Sequence, residues 1–201
     1  MEELEDILSL GVQEAKRINK TPYAFLYSVE YDGDIGSPSE YREDFTIYRN
    51  ATPNDVIKMH INSGGGRLDT LIQLINNIRG TEATTVGYLE GNAYSAAGAL
   101  FLQADQHVIA PNSSLMIHES TYGVLDSSAK LNKQVDFSRK HLRKCYLDYY
   151  HNFLTLEEID KVLDGHDMWM DAEEIVERLE KRNKLNSLEE SDSEELKENN
   201  S

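Results

Sequence analysis

Val56-Ile57-Lys58-Met59-His60-Ile61-Asn62-Ser63-Gly64-Gly65-Gly66 runs from a β-branched, apolar stretch straight into three consecutive glycines. The first six residues predict a strand. The glycines predict a turn whose backbone amides can approach a common centre, because a residue without a Cβ tolerates both signs of φ. Leu68, Leu71, Ile72, Ile75 and Ile78 then recur at helical spacing until Gly80 stops the pattern. The unit returns further on: Ala83 to Leu89 is strand-like, Gly91 to Tyr94 turns, and Ser95 to Gln103 reads as a buried helix. Two strand–turn–helix units in series predict an α/β fold, a parallel sheet with crossover helices and a site at the carboxyl ends of the strands.

The second turn, Gly91-Asn92-Ala93-Tyr94-Ser95-Ala96-Ala97-Gly98, presents one serine among small residues where a helix begins. A serine hydroxyl becomes a useful nucleophile only when a base takes its proton and nothing crowds it. The bland reading, a tight helix-packing turn, selects the same small residues. Downstream, His118 ends the run Ser114-Leu115-Met116-Ile117, and Asp167 lies in His166-Asp167-Met168-Trp169-Met170. Serine, histidine, aspartate and a glycine-rich source of amides are the components of an acyl-transfer hydrolase. Their chain order differs from that of chymotrypsin-like, subtilisin-like and α/β-hydrolase triads. His60, His107, His141 and His151 stand in no such motif and read as structural or solvated. Asp164 and Asp171 are the rival carboxylates, the latter better placed as a helix cap.

Together these segments resemble the Clp protease proteolytic subunit (ClpP) family over roughly Tyr23 to Arg182. Ile61-Asn62-Ser63-Gly64-Gly65-Gly66 is similar to that family's Ile-Asn-Ser-Pro-Gly-Gly, and Ala93-Tyr94-Ser95-Ala96 to its Ala-Ala-Ser-Met turn. Met116-Ile117-His118 matches Met-Ile-His, and Asp167 with Trp169 and Ala172-Glu173-Glu174 resembles its aspartate region. The resemblance implies a ClpP/crotonase-like fold of repeated β-β-α units with a long projecting helix, assembled into rings. It implies Ser95 as nucleophile, His118 as general base and Asp167 as the group that orients it. Oxyanion donors would be Gly65 or Gly66 together with Ala96, and Tyr122, Gly123 and Val124 would bind the substrate backbone. Partners would be polypeptide substrates, further copies of the chain in a ring, and an ATP-dependent unfoldase. No cofactor is expected, and no metal-ligand cluster is apparent.

Departures from the family pattern carry their own expectations. Tyr94 replaces a small residue and is expected to narrow or redirect the substrate channel. Gly64 replaces proline and loosens the first half of its turn. His166 stands where many members place an arginine that links stacked rings. Two other functions share the fold: an inactive ring subunit that modulates an active partner, and a crotonase-type acyl-CoA enzyme.

Composition bounds the rest. With 201 residues, 39% hydrophobic and 28% charged, the chain suits one domain with a sizeable core. A net charge of −16 argues against a nucleic-acid surface. No run approaches the roughly 18 apolar residues of a membrane span. The acidic start, Met1-Glu2-Glu3-Leu4-Glu5-Asp6, is unlike a secretory signal, and the single Cys145 suits a reducing cytoplasm, of the host if the chain is virus-encoded. Leu4, Ile7, Leu8, Val12, Ala15 and Ile18 predict a helix within an N-terminal segment, 1–22, that precedes a peptidase domain over 23–182. The segment 183–201 holds six acidic residues against one lysine from Leu185 onward and is expected to be disordered. A long helix is expected over 127–152, with Tyr146, Tyr149 and Tyr150 exposed for an oligomer interface.

Overall fold

The computed structural model describes residues 23–120 and 128–198. The expected N-terminal helix in 1–22 and the expected substrate strand at Tyr122, Gly123 and Val124 lie outside the described residues.

Both glycine-rich segments prolong strands beyond the bounds that residue pattern suggests. The first unit opens with β1 (Leu26–Ile35), a 3-10 turn (Pro38–Tyr41) and α1 (Arg42–Asn50). β2 spans Val56–Gly66 and leads to α2 (Leu68–Gly80); β3 spans Thr84–Tyr94 and leads to α3 (Ala96–Phe101). The extensions exist because neighbouring strands supply ladder partners: Ile35 pairs with Gly66, and Ala93 pairs with both Ser63 and Leu115. β1, β2 and β3 are parallel, with register breaks between Asp32 and Asp34 and between Ile61 and Ser63 that re-aim the strand ends. Then β3 divides its free edge. Val86 to Leu89 pair with β4 (Gln106–Ile109), and Asn92 to Tyr94 pair with β5 (Ser114–Ile117). A sixth strand, β6 (Met168–Asp171), closes the sheet antiparallel to β5. It is a strand that the sequence pattern did not reveal, since four residues are too few for alternation to register.

Alternation along β2 decides where the core lies. Ile57, Met59 and Ile61 are fully buried and share that face with Leu71, Leu74, Ile75 and Ile78 of α2 and with Leu100 and Phe101 of α3. A Cβ on Gly87 would stand 3.1 Å from the Phe101 ring and 3.2 Å from the Ala104 Cβ, so α3 can lie close on β3 only because that position is bare. The opposite face carries Lys58, His60, Tyr88 and Glu90. There His60 stacks on Tyr88 with ring centroids 5.1 Å apart, and its Nδ1 meets Glu90 at 2.6 Å. His107 is half-buried with its ring edge-on to Phe101, its Nε2 donates to the Phe101 carbonyl, and desolvation lowers its pKa to about 4. His60 and His107 thus have structural partners.

Three further helices lie among the described residues: α4 (Ser128–Tyr149), α5 (Leu156–Leu163) and α6 (Ala172–Glu198). Two expectations fail here. Tyr146, Tyr149 and Tyr150 are not exposed; they are 5%, 9% and 3% accessible and point back into the domain. Their apolar rings bury more favourably in the core than in water, and helical spacing does not reveal which face a neighbouring element covers. Nor is the acidic segment from residue 183 without structure: α6 continues through it to Glu198. Asn152 Nδ2 donates to Asn186 Oδ1 at 2.9 Å and to Glu189 Oε1 at 3.1 Å, which ties the helix to the end of α4.

The opening of α5 follows its sequence signature. Thr155 Oγ1 accepts from the Glu158 amide, and Glu158 Oε2 accepts from the Thr155 amide at 2.8 Å. Glu158 also takes Arg178 Nη2 from α6 at 2.8 Å. The Arg178 hydrogen bond, with help from Thr155, lowers the Glu158 pKa to about 2. An unfolded glutamate titrates near 4.3, so this carboxylate stabilises the fold above that pH, and the gain is lost as pH falls towards 2. Glu158→Gln should cost about 1 kcal/mol at neutral pH after allowing for solvent screening, and nothing near pH 2. Denaturant titrations of both proteins across that range check it.

Candidate active site

The nucleophile candidate sits on a strained turn. Ser95 has φ 54° and ψ −123°, a region that L-residues rarely occupy, between the end of β3 and the start of α3. Three hydrogen bonds hold it there: its N–H donates to Met116 O at 2.8 Å, and its carbonyl accepts from Gly98 N at 3.1 Å and Ala99 N at 3.3 Å. Small residues are required by contact. A Cβ on Gly98 would lie 3.0 Å from the Ala93 carbonyl oxygen, and Ala96 and Ala97 are buried.

The bond from Ser95 N to Met116 O joins the turn to β5, the strand that His118 follows two residues later. His118 Nε2 consequently lies 2.7 Å from Ser95 Oγ, within the reach of a general base. Asp167 arrives from the other side of β5. The ladder pairs Ser114 with Asp171 and Ile117 with Met168, and one further step sets His118 opposite Asp167. Facing residues of an antiparallel pair have Cβ atoms about 4.5–5.5 Å apart. The Asp167 side chain is exposed, and among the described residues it has no hydrogen bond to the His118 ring. Asp171 caps α6 by accepting the Glu174 amide at 2.9 Å, and Asp164 ends α5. The backbone therefore brings all three candidates to one place, while side-chain contact joins only two of them.

Gly65 and Gly66 have φ of 97° and 153°, and Gly65 packs directly on the serine turn. A Cβ on Gly65 would be 2.6 Å from Tyr94 O, 2.7 Å from Ser95 Cβ and 3.0 Å from Ala96 N. The Gly65 amide is already used: it donates to Ser63 Oγ at 3.1 Å, while the Ser63 hydroxyl donates to the Gly33 carbonyl. Ser63 is 2% exposed and clamps the glycine turn to the end of β1. Sequence reasoning passed over it, although a serine directly before a glycine run is a turn signal.

A cleft of about 670 Å³ opens beside Ser95 and His118. Gly64 to Gly66, Leu71, Ala99 and Met116 form one side, and Cys145, Tyr146, Tyr149 and Tyr150 of α4 and its end form the other. Tyr94 does not narrow it. The Tyr94 hydroxyl lies 2.8 Å from Ser114 Oγ and its ring meets Trp169 edge-on at 5.2 Å, on the β5–β6 side of the sheet. Strand alternation turns Tyr94 away from the site its neighbour faces. Among the described residues no group of three or more His, Cys, Asp or Glu side chains is gathered as for a metal ion.

The chain is similar to known proteins. The family profile described as Clp protease matches residues 41–178. Among curated proteins, the "ATP-dependent Clp protease proteolytic subunit 2" of Chlamydia trachomatis is 28% identical over 132 residues, 62% of each chain. The "ATP-dependent Clp protease proteolytic subunit 1" of Chlamydia felis is similar to the same extent, 28% over 132 residues. The match thus spans 62% of the length of these relatives. The α/β sheet belongs to a known class, and the chain is a member of the Clp protease family.

Gly65→Ala tests the packing of the two turns. The new methyl group meets backbone on the serine turn and demands a left-handed conformation, costs of about 1–3 kcal/mol and 1–2 kcal/mol respectively. Thermal unfolding should show a lower melting temperature, and labelling of Ser95 by a fluorophosphonate should fall at least tenfold.

Proposed function

We propose that this chain is a serine peptidase that hydrolyses extended polypeptides within an oligomeric chamber in the cytoplasm. The observation that carries the reading is the 2.7 Å contact between His118 Nε2 and Ser95 Oγ on a strained, glycine-backed turn. His118 takes the Ser95 proton as Oγ attacks the peptide carbonyl, and returns it to the leaving amine as the C–N bond breaks. Water then adds to the acyl-enzyme by the same route, with His118 again as base. The amides of Gly66 and Ala96 stabilise the oxyanion, the Gly65 amide being held by Ser63. Asp167 completes the triad by turning its carboxylate onto His118 Nδ1, a movement within the span of a facing antiparallel pair. The relatives' description as subunits of an ATP-dependent protease supports a ring fed by an ATP-driven unfoldase.

A second reading draws on the exposed Asp167: a ring subunit whose triad stays open and which modulates an active partner. A crotonase-type acyl-CoA enzyme has no use for the Ser95–His118 contact.

The purified chain should hydrolyse a short fluorogenic peptide, and Ser95→Ala should abolish turnover while leaving the melting temperature unchanged. Turnover at the wild-type rate in Ser95→Ala overturns the assignment; an inactive wild-type chain favours the modulating subunit. Asp167→Asn should reduce kcat by about 10⁴-fold by favouring the wrong histidine tautomer. Damage from Asp164→Asn instead identifies a different carboxylate. Light scattering at micromolar concentration should give a homo-oligomer, and a monomer contradicts the chamber.

A further inference from the structure

Among the described residues the His118 ring has no side-chain partner besides Ser95, and the Asp167 side chain is exposed. His118 also lies one residue beyond Ile117, the last paired residue of β5. Yet its Nε2 stands 2.7 Å from Ser95 Oγ. The main chain at His118 is held from across the cleft. Tyr146 of α4 donates its hydroxyl proton to the His118 carbonyl oxygen, and the same hydroxyl oxygen lies 3.2 Å from Ser120 Oγ. Because the phenol proton is committed to the carbonyl, Ser120 is the donor in the second bond. One side chain therefore grips the base and the residue two positions on.

Tyr146 is suited to this task by its surroundings. It is 5% exposed, and its ring packs on Tyr150 with centroids 5.3 Å apart, which restricts where the hydroxyl points. Burial raises its pKa above the usual value for a phenol, so the O–H remains a donor at any pH where His118 acts as a base. Removing the donor frees the His118 carbonyl, and rotation of that peptide plane swings the imidazole relative to Ser95. A misplacement of about 1 Å at such a centre costs roughly 100-fold in rate.

We infer that Tyr146 is a positioning residue for the base: through the His118 carbonyl it couples α4 to the Ser95–His118 pair. The inference rests on the peptidase reading for its kinetic consequence, and on geometry alone for the contact.

The test is Tyr146→Phe, which keeps the ring and deletes only the hydroxyl. Tyr48→Phe serves as control, since Tyr48 is equally buried, its hydroxyl lies 3.2 Å from that of Tyr31, and it sits in α1 away from the cleft. With a short peptide substrate, Tyr146→Phe should lower kcat about 10- to 100-fold with KM within twofold of wild type. Its melting temperature should drop no further than that of Tyr48→Phe, which keeps wild-type kcat. A crystal structure of Tyr146→Phe should show His118 Nε2 outside hydrogen-bond range of Ser95 Oγ. Wild-type kcat in the variant with the contact unchanged overturns the inference. So does a joint change in kcat and KM with a larger loss of melting temperature than the control, which marks a merely structural role. If the wild-type chain neither cleaves peptide nor reacts with a fluorophosphonate, the peptidase reading is what fails. Crystal structures of wild type and Tyr146→Phe then still decide whether Tyr146 holds His118.

Discussion

Gly65 lies so close to the serine turn that a Cβ there would sit 2.6 Å from the Tyr94 carbonyl oxygen and 2.7 Å from the Ser95 Cβ. That approach is the constraint on which the site depends. Ser95 occupies a conformation that costs of order 1–3 kcal/mol, and such strain persists only where the surroundings over-determine it. Here the surroundings are the bare α-carbon of Gly65 below, the Met116 carbonyl at the side and the first turn of α3 behind. In turn, Ser63 holds the glycine segment by bonding to both Gly33 and Gly65. Two strand ends and one helix start therefore meet at Ser95.

β5 acts as the common support for the other two candidate residues. It is only four residues long, yet it accepts the Ser95 amide through Met116, leads directly to His118, and sets the register that brings Asp167 opposite His118. The order Ser, His, Asp along the chain becomes a spatial order across β3, β5 and β6. The antiparallel β6 is essential to that result. A parallel strand would have delivered Asp167 with a slanted ladder and no directly facing partner for His118.

The long helix α4 forms the opposite wall. Its tyrosines are buried and line the cleft, where their rings supply apolar surface beside Ser95. The same placement leaves the two sides of the cleft joined through the His118 carbonyl.

Local pattern was sufficient where chemistry is written in short segments. The strand into Asn62-Ser63-Gly64-Gly65-Gly66, the helix from Leu68, the serine on its small-residue turn and the capping box at Thr155 all depend on neighbours within a few residues. Those residues by themselves determined an α/β fold with the site at the strand ends. Ser95, His118 and Asp167 could be singled out because each lies in a recognisable segment. What local pattern could not reach were contacts between distant segments. β6 is too short to alternate visibly and exists because β5 offers it an edge. Tyr146, Tyr149 and Tyr150 read as exposed because helical periodicity does not say which face is covered. Residues 183–198 read as unstructured because their apolar content is low, whereas Asn152, more than thirty residues away, holds the helix they continue. Tyr94 read as a channel residue, but strand alternation and Trp169 draw it to the other side. The sequence by itself determined the candidate chemical groups and the strand–turn–helix units that carry the first of them. Only the tertiary structure decided which of those groups touch, since a 2.7 Å contact between Ser95 and His118 needs β3 and β5 in register, and the sheet alone supplies that.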